Sequence, residues 1–188
     1  MKTIVRRWVP GVLFACMAAQ AATPPASRGF REVPLRNGFN RITLAGHEAI
    51  VAYAWRENYN AHGFSVATIY ARPGKGDAGR LLLVPVFGEP GNALKERHEL
   101  TVSGGADCRL QDFALFDSGS AARLVRAWRA IGTGYAAAAP VHFDIYRFER
   151  NSDGLPGRPP FDFRFERRVE AAHAYCDVDE AMERELRL

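Results

Sequence analysis

In Phe161-Asp162-Phe163-Arg164-Phe165-Glu166-Arg167, aromatic and charged side chains alternate as far as Glu166. A period of two puts the three phenylalanines on one face and the charges on the other, the pattern of a strand with one buried side. Upstream lies Val141 to Phe148, a second strand, and between them Asn151 to Pro160 is a Gly/Pro-rich connection. Asn151 and Asp153 have the spacing of a calcium-loop start, but Pro156 and the lack of a bidentate Glu argue against one.

The same reading extends toward the N-terminus. Phe30 to Leu35 and Phe39 to Leu44 flank Arg36-Asn37-Gly38, a hairpin signal because Asn and Gly tolerate positive φ. Ala49 to Trp55 and Phe64 to Tyr70 are rich in β-branched and aromatic residues. Pro73 to Gly79 is a turn, and Leu81 to Phe87 is an apolar run whose Pro85 belongs at an edge or bulge. His98 to Val102 and Leu110 to Phe116 complete about eight strands, which predicts an all-β fold: a mainly antiparallel β-sandwich or curled sheet. Asp177 with Glu180 three residues later is a capping box, and predicts a short C-terminal helix over Ala181 to Leu188. Arg123 to Ile131 is ambiguous. Ser120 could cap a helix carrying Leu124, Ala127, Trp128 and Ile131 on one stripe, with Gly132 ending it, and local pattern favours that over a strand.

Residues 1–21 read as a cleavable signal peptide. Lys2, Arg6 and Arg7 precede the apolar run Trp8 to Ala19, which is too short to span a membrane, and Ala19-Gln20-Ala21 offers a small-x-small cleavage site. Leu13-Phe14-Ala15-Cys16 loosely resembles a lipoprotein box, so lipidation of Cys16 is an alternative, with a periplasmic location either way. Residues 22–29 form a flexible leader and 30–188 a single β domain. Without Lys2, Arg6 and Arg7 the formal +4 falls to +1, so charge gives no ground for nucleic-acid binding. Cys108 and Cys176 remain as an even pair in an exported chain, which predicts one disulfide worth about 4 kcal/mol on loop-closure entropy.

Two segments carry candidate function. Arg56-Glu57-Asn58-Tyr59-Asn60-Ala61-His62 is a dense polar cluster between strands. It is either a ligand loop or a turn whose Asn side chains satisfy their own backbone. Ser103-Gly104-Gly105-Ala106-Asp107-Cys108 is either a rigid loop presenting the Asp107 carboxylate or a plain hairpin connection. His47, His62, His98, His142 and His173 show no metal-ligand spacing, there is no G-x-S-x-G elbow or serine β-lactamase set, and Gly132-Thr133-Gly134 lacks the rest of a phosphate loop. Neither a metal nor a cofactor is expected.

Several segments together resemble the periplasmic carbapenem intrinsic-resistance proteins of the CarG type. They are Arg56 to Phe64, Leu83 to Phe87, Ser103 to Cys108 with Asp112-Phe113, Pro140 to Phe143, Gly154 to Pro160 and Tyr175 to Val178. The resemblance implies an all-β exported protein that protects against a carbapenem without hydrolysing it. It makes Arg56, Asn58, Asn60, His62, Asp107 and Asp112 the candidate binding residues. It also favours strand over helix for Arg123 to Ile131. In Ala127-Trp128-Arg129-Ala130-Ile131-Gly132-Thr133-Gly134-Tyr135 the chain departs from the family pattern, lacking two acids expected before the G-x-x-Y turn. Three functions compete: a non-enzymatic binding or protection protein, an inhibitor or immunity module for a periplasmic toxin or cell-wall hydrolase, and a hydrolase using His62 with Asp107. Candidate partners are a β-lactam, a periplasmic or cell-wall protein, and a second copy paired through exposed strand edges.

Overall fold

The structure is a computed structural model that describes residues 29–60, 62–73, 80–105 and 107–188. The signal-peptide expectation, Cys16, most of the leader and most of the Pro73–Gly79 turn lie outside these residues. Twelve strands and one helix follow in order: β1 (Arg31–Glu32), β2 (Gly38–Leu44), β3 (His47–Arg56), β4 (Phe64–Ala71), β5 (Leu82–Leu83), β6 (Val86–Glu89), β7 (Asn92–Arg97), β8 (Leu100–Gly105), β9 (Cys108–Asp117), β10 (Ala122–Arg129), β11 (Ala139–Arg150), β12 (Phe161–Tyr175) and α1 (Val178–Glu185). The fold is all-β with a short C-terminal helix, as expected. The sheet runs β2-β3-β4-β8-β9-β10-β11-β12-β6-β7, antiparallel except where β12 meets β6.

The sheet curls on itself around one core. Leu44, Val51, Ile69 and Leu100 from the β2–β4 side meet Leu115, Leu124, Tyr146, Phe161 and Phe163 from the β9–β12 side. Phe161 and Phe163 are the inward face of the alternating strand; Phe148 stacks on Phe161 (5.6 Å between ring centroids) and meets Phe163 at a tilt (5.3 Å). Their outward neighbour Asp162 is fully buried and bonded by Arg158 and Arg164, each 3.0 Å away, which ties the Gly/Pro-rich connection down. A second core lies on the opposite face of β10 and β11, where Val125, Ala127, Val141, Phe143 and Ile145 meet Val178 and Ala181 of α1.

That second core explains the ambiguous segment. Residues 122–129 are a strand, not a helix. Leu124 faces the first core, Val125 and Ala127 face the second, and all three are fully buried. Burial on both faces mixes two period-two patterns and imitates a helical stripe.

Other boundaries also move. The Asn37-Gly38 step is not a hairpin: β1 pairs with β9, and β2 pairs with β3 through Ala45 and Gly46, both at positive φ. Val33 N–H donates to the Leu115 carbonyl (2.8 Å), and the Asn37 carboxamide oxygen accepts from the Trp55 N–H (3.2 Å), so the step steers the chain from one side of the curl to the other. Leu81 to Phe87 splits at Pro85, whose carbonyl accepts from Phe163 N–H as the chain leaves β4's side and joins β12. β7 was not anticipated, because its Asn92–Arg97 sequence is almost wholly exposed and shows no apolar alternation. β12 continues to Tyr175, beyond the expected Arg167. Helix α1 begins at Val178, not Ala181, and ends at Glu185. Asp177 caps it by accepting from Asp179 N–H (2.8 Å), so the capping sequence is itself the first turn.

Because β10 is buried on both sides, Leu124→Ala should cost about 3 kcal/mol and Val125→Ala about 2 kcal/mol. Denaturant unfolding with an unchanged m value would show it. A large loss at only one of these adjacent positions would contradict a doubly covered strand.

Candidate functional site

The Cys108–Cys176 disulfide joins the start of β9 to the residue before the helix cap, with Cα atoms 5.6 Å apart. It brings the β8–β9 turn, the β3–β4 loop and the start of α1 to one end of the molecule. A groove of about 460 Å³ opens there, lined by Tyr53, Trp55, Gly63, Ser65, Gly104, Gly105, Asp107, Arg109 and Asp177.

Two glycines shape the groove by close approach. A Cβ on Gly63 would lie 2.1 Å from the Trp55 indole, and one on Gly105 would lie 2.8 Å from the Tyr135 ring. Gly104 is needed as well, since its Cβ would stand 2.7 Å from the Cys108 carbonyl. The positive φ of this turn falls on Asp107 (+68°), not on either glycine. Trp55 and Tyr135 are therefore aromatic plates laid over backbone, both still substantially exposed.

The Arg56–His62 loop is built from its own side chains. Glu57 accepts from the Trp55 indole N–H (3.1 Å) and from the backbone N–H groups of Asn58 and Tyr59 (2.8 and 2.6 Å). Those bonds hold the Glu57 carboxyl below the usual carboxylate range, that from Trp55 most strongly. Asn58 donates to the His62 carbonyl (2.6 Å) and Asn60 accepts from His62 N–H (2.8 Å). The Asn side chains thus spend hydrogen bonds on the turn itself. Arg56 stacks over Phe64 (5.3 Å) and lines neither hollow. The loop presents Tyr59, 96% exposed and at positive φ. The His62 ring faces Tyr135 at 6.3 Å, and no hydrogen bond joins it to Asp107 among the described residues.

Arg109 separates this groove from a second hollow of about 500 Å³ between β9 and α1. Its backbone N–H donates to Asp177 (3.0 Å), and its guanidinium contacts Asp112 (2.6 Å) and Asp179 (2.8 Å). Asp112 therefore belongs beside the helix rather than with the Asn–His loop. Desolvation, then the hydrogen bond and charge of Asp112, push the Asp179 carboxyl up to about 7 against the pull of Arg109. Asp179 therefore holds its proton to unusually high pH within an acid-rich cluster. Sequence reading missed Trp55, Arg109, Tyr135 and Asp179, and quoted Glu57 within the polar loop without giving it a role. The capping box did mark Asp177 and its neighbours, but only as a helix start.

Two outcomes test this geometry. Gly63→Ala should displace the Trp55 indole and move its N–H resonance, while stability falls by about 1 kcal/mol or less because the ring is exposed. An unmoved resonance would mean that the ring does not lie on Gly63. For Asp179, the native carboxyl at about 7 holds its proton more tightly than the unfolded group at 3.8, so its contribution to stability is present below 3.8 and lost as pH rises through about 7. Asp179→Asn should flatten the fall of the unfolding midpoint over that window. Parallel profiles for the two proteins would mean that the Asp179 carboxyl is not raised.

The comparisons with known proteins agree with this fold. A family model described as carbapenem resistance protein CarG-like matches residues 35–184. No curated protein is significantly similar to the chain. The crystal structure of CarG superposes with a TM-score of 0.66 at 24% sequence identity, covering 82% of this chain and 94% of that one, which supports the same fold. On the extent of the family match, the chain belongs to the CarG-like carbapenem resistance protein family.

Proposed function

We propose that this protein is exported to the periplasm and contributes to carbapenem protection without hydrolysing the antibiotic, acting by contact through the face formed by the Arg56–His62 loop and the β8–β9 turn. The observation that carries the reading is the self-bonded loop, in which Glu57, Asn58 and Asn60 all hold the turn. A loop fixed in this way is a preformed recognition surface, and its side chains are committed to shape rather than to proton transfer. Membership of a carbapenem resistance family supplies the biological setting.

Charge favours one mode of contact. Asp112, Asp177 and Asp179 contact Arg109 and Asp107 lines the same groove, so these four acids outnumber the guanidiniums of Arg109 and Arg187 there. Such a surface suits a basic patch on a partner protein better than it suits the carboxylate of a β-lactam. Shielding a cell-wall target is therefore preferred over sequestering the drug at this groove. The fully exposed Tyr59 at the loop tip fits an interface anchor, and equally favours the neighbouring reading, an inhibitor-like module for a cell-wall enzyme.

Expression in a carbapenem-sensitive host should raise the tolerated carbapenem concentration, while the purified protein leaves the β-lactam absorbance unchanged. Tyr59→Ala and Asp107→Asn, the latter keeping a residue that tolerates the positive φ, should lose protection without lowering the unfolding midpoint. Loss of absorbance would overturn the non-hydrolytic reading. A carbapenem-dependent rise in the midpoint would replace target shielding by sequestration.

A further inference from the structure

A third pocket lies on the inner face of the curled sheet, beyond the first core. Leu124 and Arg126 have the same parity on β10, as do Phe113 and Gln111 on β9 and Tyr146 and Asp144 on β11, so these polar residues continue the core face toward the sheet's open end. The pocket holds about 410 Å³ and is lined by Glu89, Arg97, Gln111, Arg126, Trp128, Asp144 and Arg168, with Leu110 on one wall. Ser103 lines both this pocket and the groove around Trp55, but none of the pocket's charged residues does.

Its hydrogen bonding is incomplete on the cationic side. Asp144 is fully engaged: Arg168 grips both oxygens (2.6 and 3.0 Å) and the Trp128 indole N–H adds a third bond (3.1 Å). Arg126 is thereby left with only a loose ion pair to Asp144 and no hydrogen bond to a carboxylate. It stands 3.9 Å from Asp144 with its side chain only 11% exposed, and its one acceptor among the described residues is the neutral Tyr146 hydroxyl at 3.3 Å. Arg97 pairs with Glu89, but its Nε is buried with no partner among the described residues. Arg129 at the rim turns to the carbonyls of Ala130 and Cys176 (3.0 and 2.5 Å) and is already used. Four guanidiniums, those of Arg97, Arg126, Arg129 and Arg168, thus line a pocket that holds two carboxylates, Glu89 and Asp144, a formal excess of two positive charges.

A nearly buried guanidinium with one neutral acceptor is costly, and an anion with oxygen acceptors in a plane relieves it. We propose that this pocket binds a small organic monocarboxylate, with its carboxylate between Arg126 and Arg97 and its apolar part against Leu110 and Trp128. The apolar wall of Leu110 and Trp128 separates an organic carboxylate from inorganic phosphate, which would turn oxygens toward side chains that leave them unpaired. The volume falls at the small end of ligand cavities. The site stands apart from the acid-rich groove and does not depend on the carbapenem reading.

The test is an NMR titration of the purified protein with benzoate at fixed ionic strength, following the Trp128 indole N–H, with chloride and inorganic phosphate as comparison anions. A saturable benzoate shift is expected, weakened at least about tenfold in Arg126→Gln. In Gln111→Glu the new carboxylate supplies a counter-charge, so benzoate binding should vanish while the unfolding midpoint rises. The second variant decides if the first does not fold. A non-saturating response, an equal response in both variants, or phosphate binding as tightly as benzoate would overturn the assignment.

Discussion

Leu124 and Val125 are neighbours in the chain, yet both are fully buried, on opposite sides of one strand. Everything else in the molecule follows from covering both faces of β9–β12. The inner face is covered by curling the sheet until β2–β5 lie over it. The outer face is covered by α1, which packs over β9, β10 and β12. A helix of eight residues would be marginal alone, so its position depends on Val178 and Ala181 seating in that outer core and on the disulfide at its start. The disulfide also fixes which loops meet there. With Cys176 bonded to Cys108, the helix cap must sit against the β8–β9 turn, and Asp177 and Asp179 are brought to Arg109.

Strands with one wet face were legible in the sequence. Phe161 to Glu166 alternates cleanly because its outward residues are charged, and the capping acid at Asp177 named the helix to within three residues. Elements whose environment is set by distant chain were not. The 122–129 strand carries two superposed alternations, which local periodicity cannot separate from a helical stripe. Asn37-Gly38 has the composition of a hairpin, but Val33 and Leu35 gain more by packing on the core beside β9 than by pairing with β2. The curl is a tertiary fact, and it overrides the local turn preference.

The candidate site was legible in outline and not in its working parts. Density of Asn, Asp and His marked the right loops, but their amides fold inward to hold the turn. The exposed surface comes instead from Trp55, Tyr59 and Tyr135, residues that a sequence reading assigns to strands or turns. Gly63 and Gly105 were the available clue. Each is demanded by an aromatic ring lying on its backbone, a constraint that appears only once the two segments are placed side by side.

Charge in this protein is sorted by face rather than by sequence. Carboxylates gather at the disulfide end, around Arg109, while guanidiniums gather inside the curl, around Asp144. The arrangement follows from strand parity. Arg126 and Trp128 alternate with Val125, Ala127 and Arg129, so a strand obliged to bury Val125 outward must send Arg126 inward. Cross-strand register then sets Asp144 beside Arg126 and Arg168 beside Asp144, giving a row of alternating charge across β10, β11 and β12. A row of three with one acid in the middle cannot neutralise both ends. The acid has gone to Arg168, with two short bonds, and Arg126 keeps its charge in a cavity that is walled but open. The two-sided burial that makes β10 the centre of the fold also leaves a cation at the mouth of its inner face.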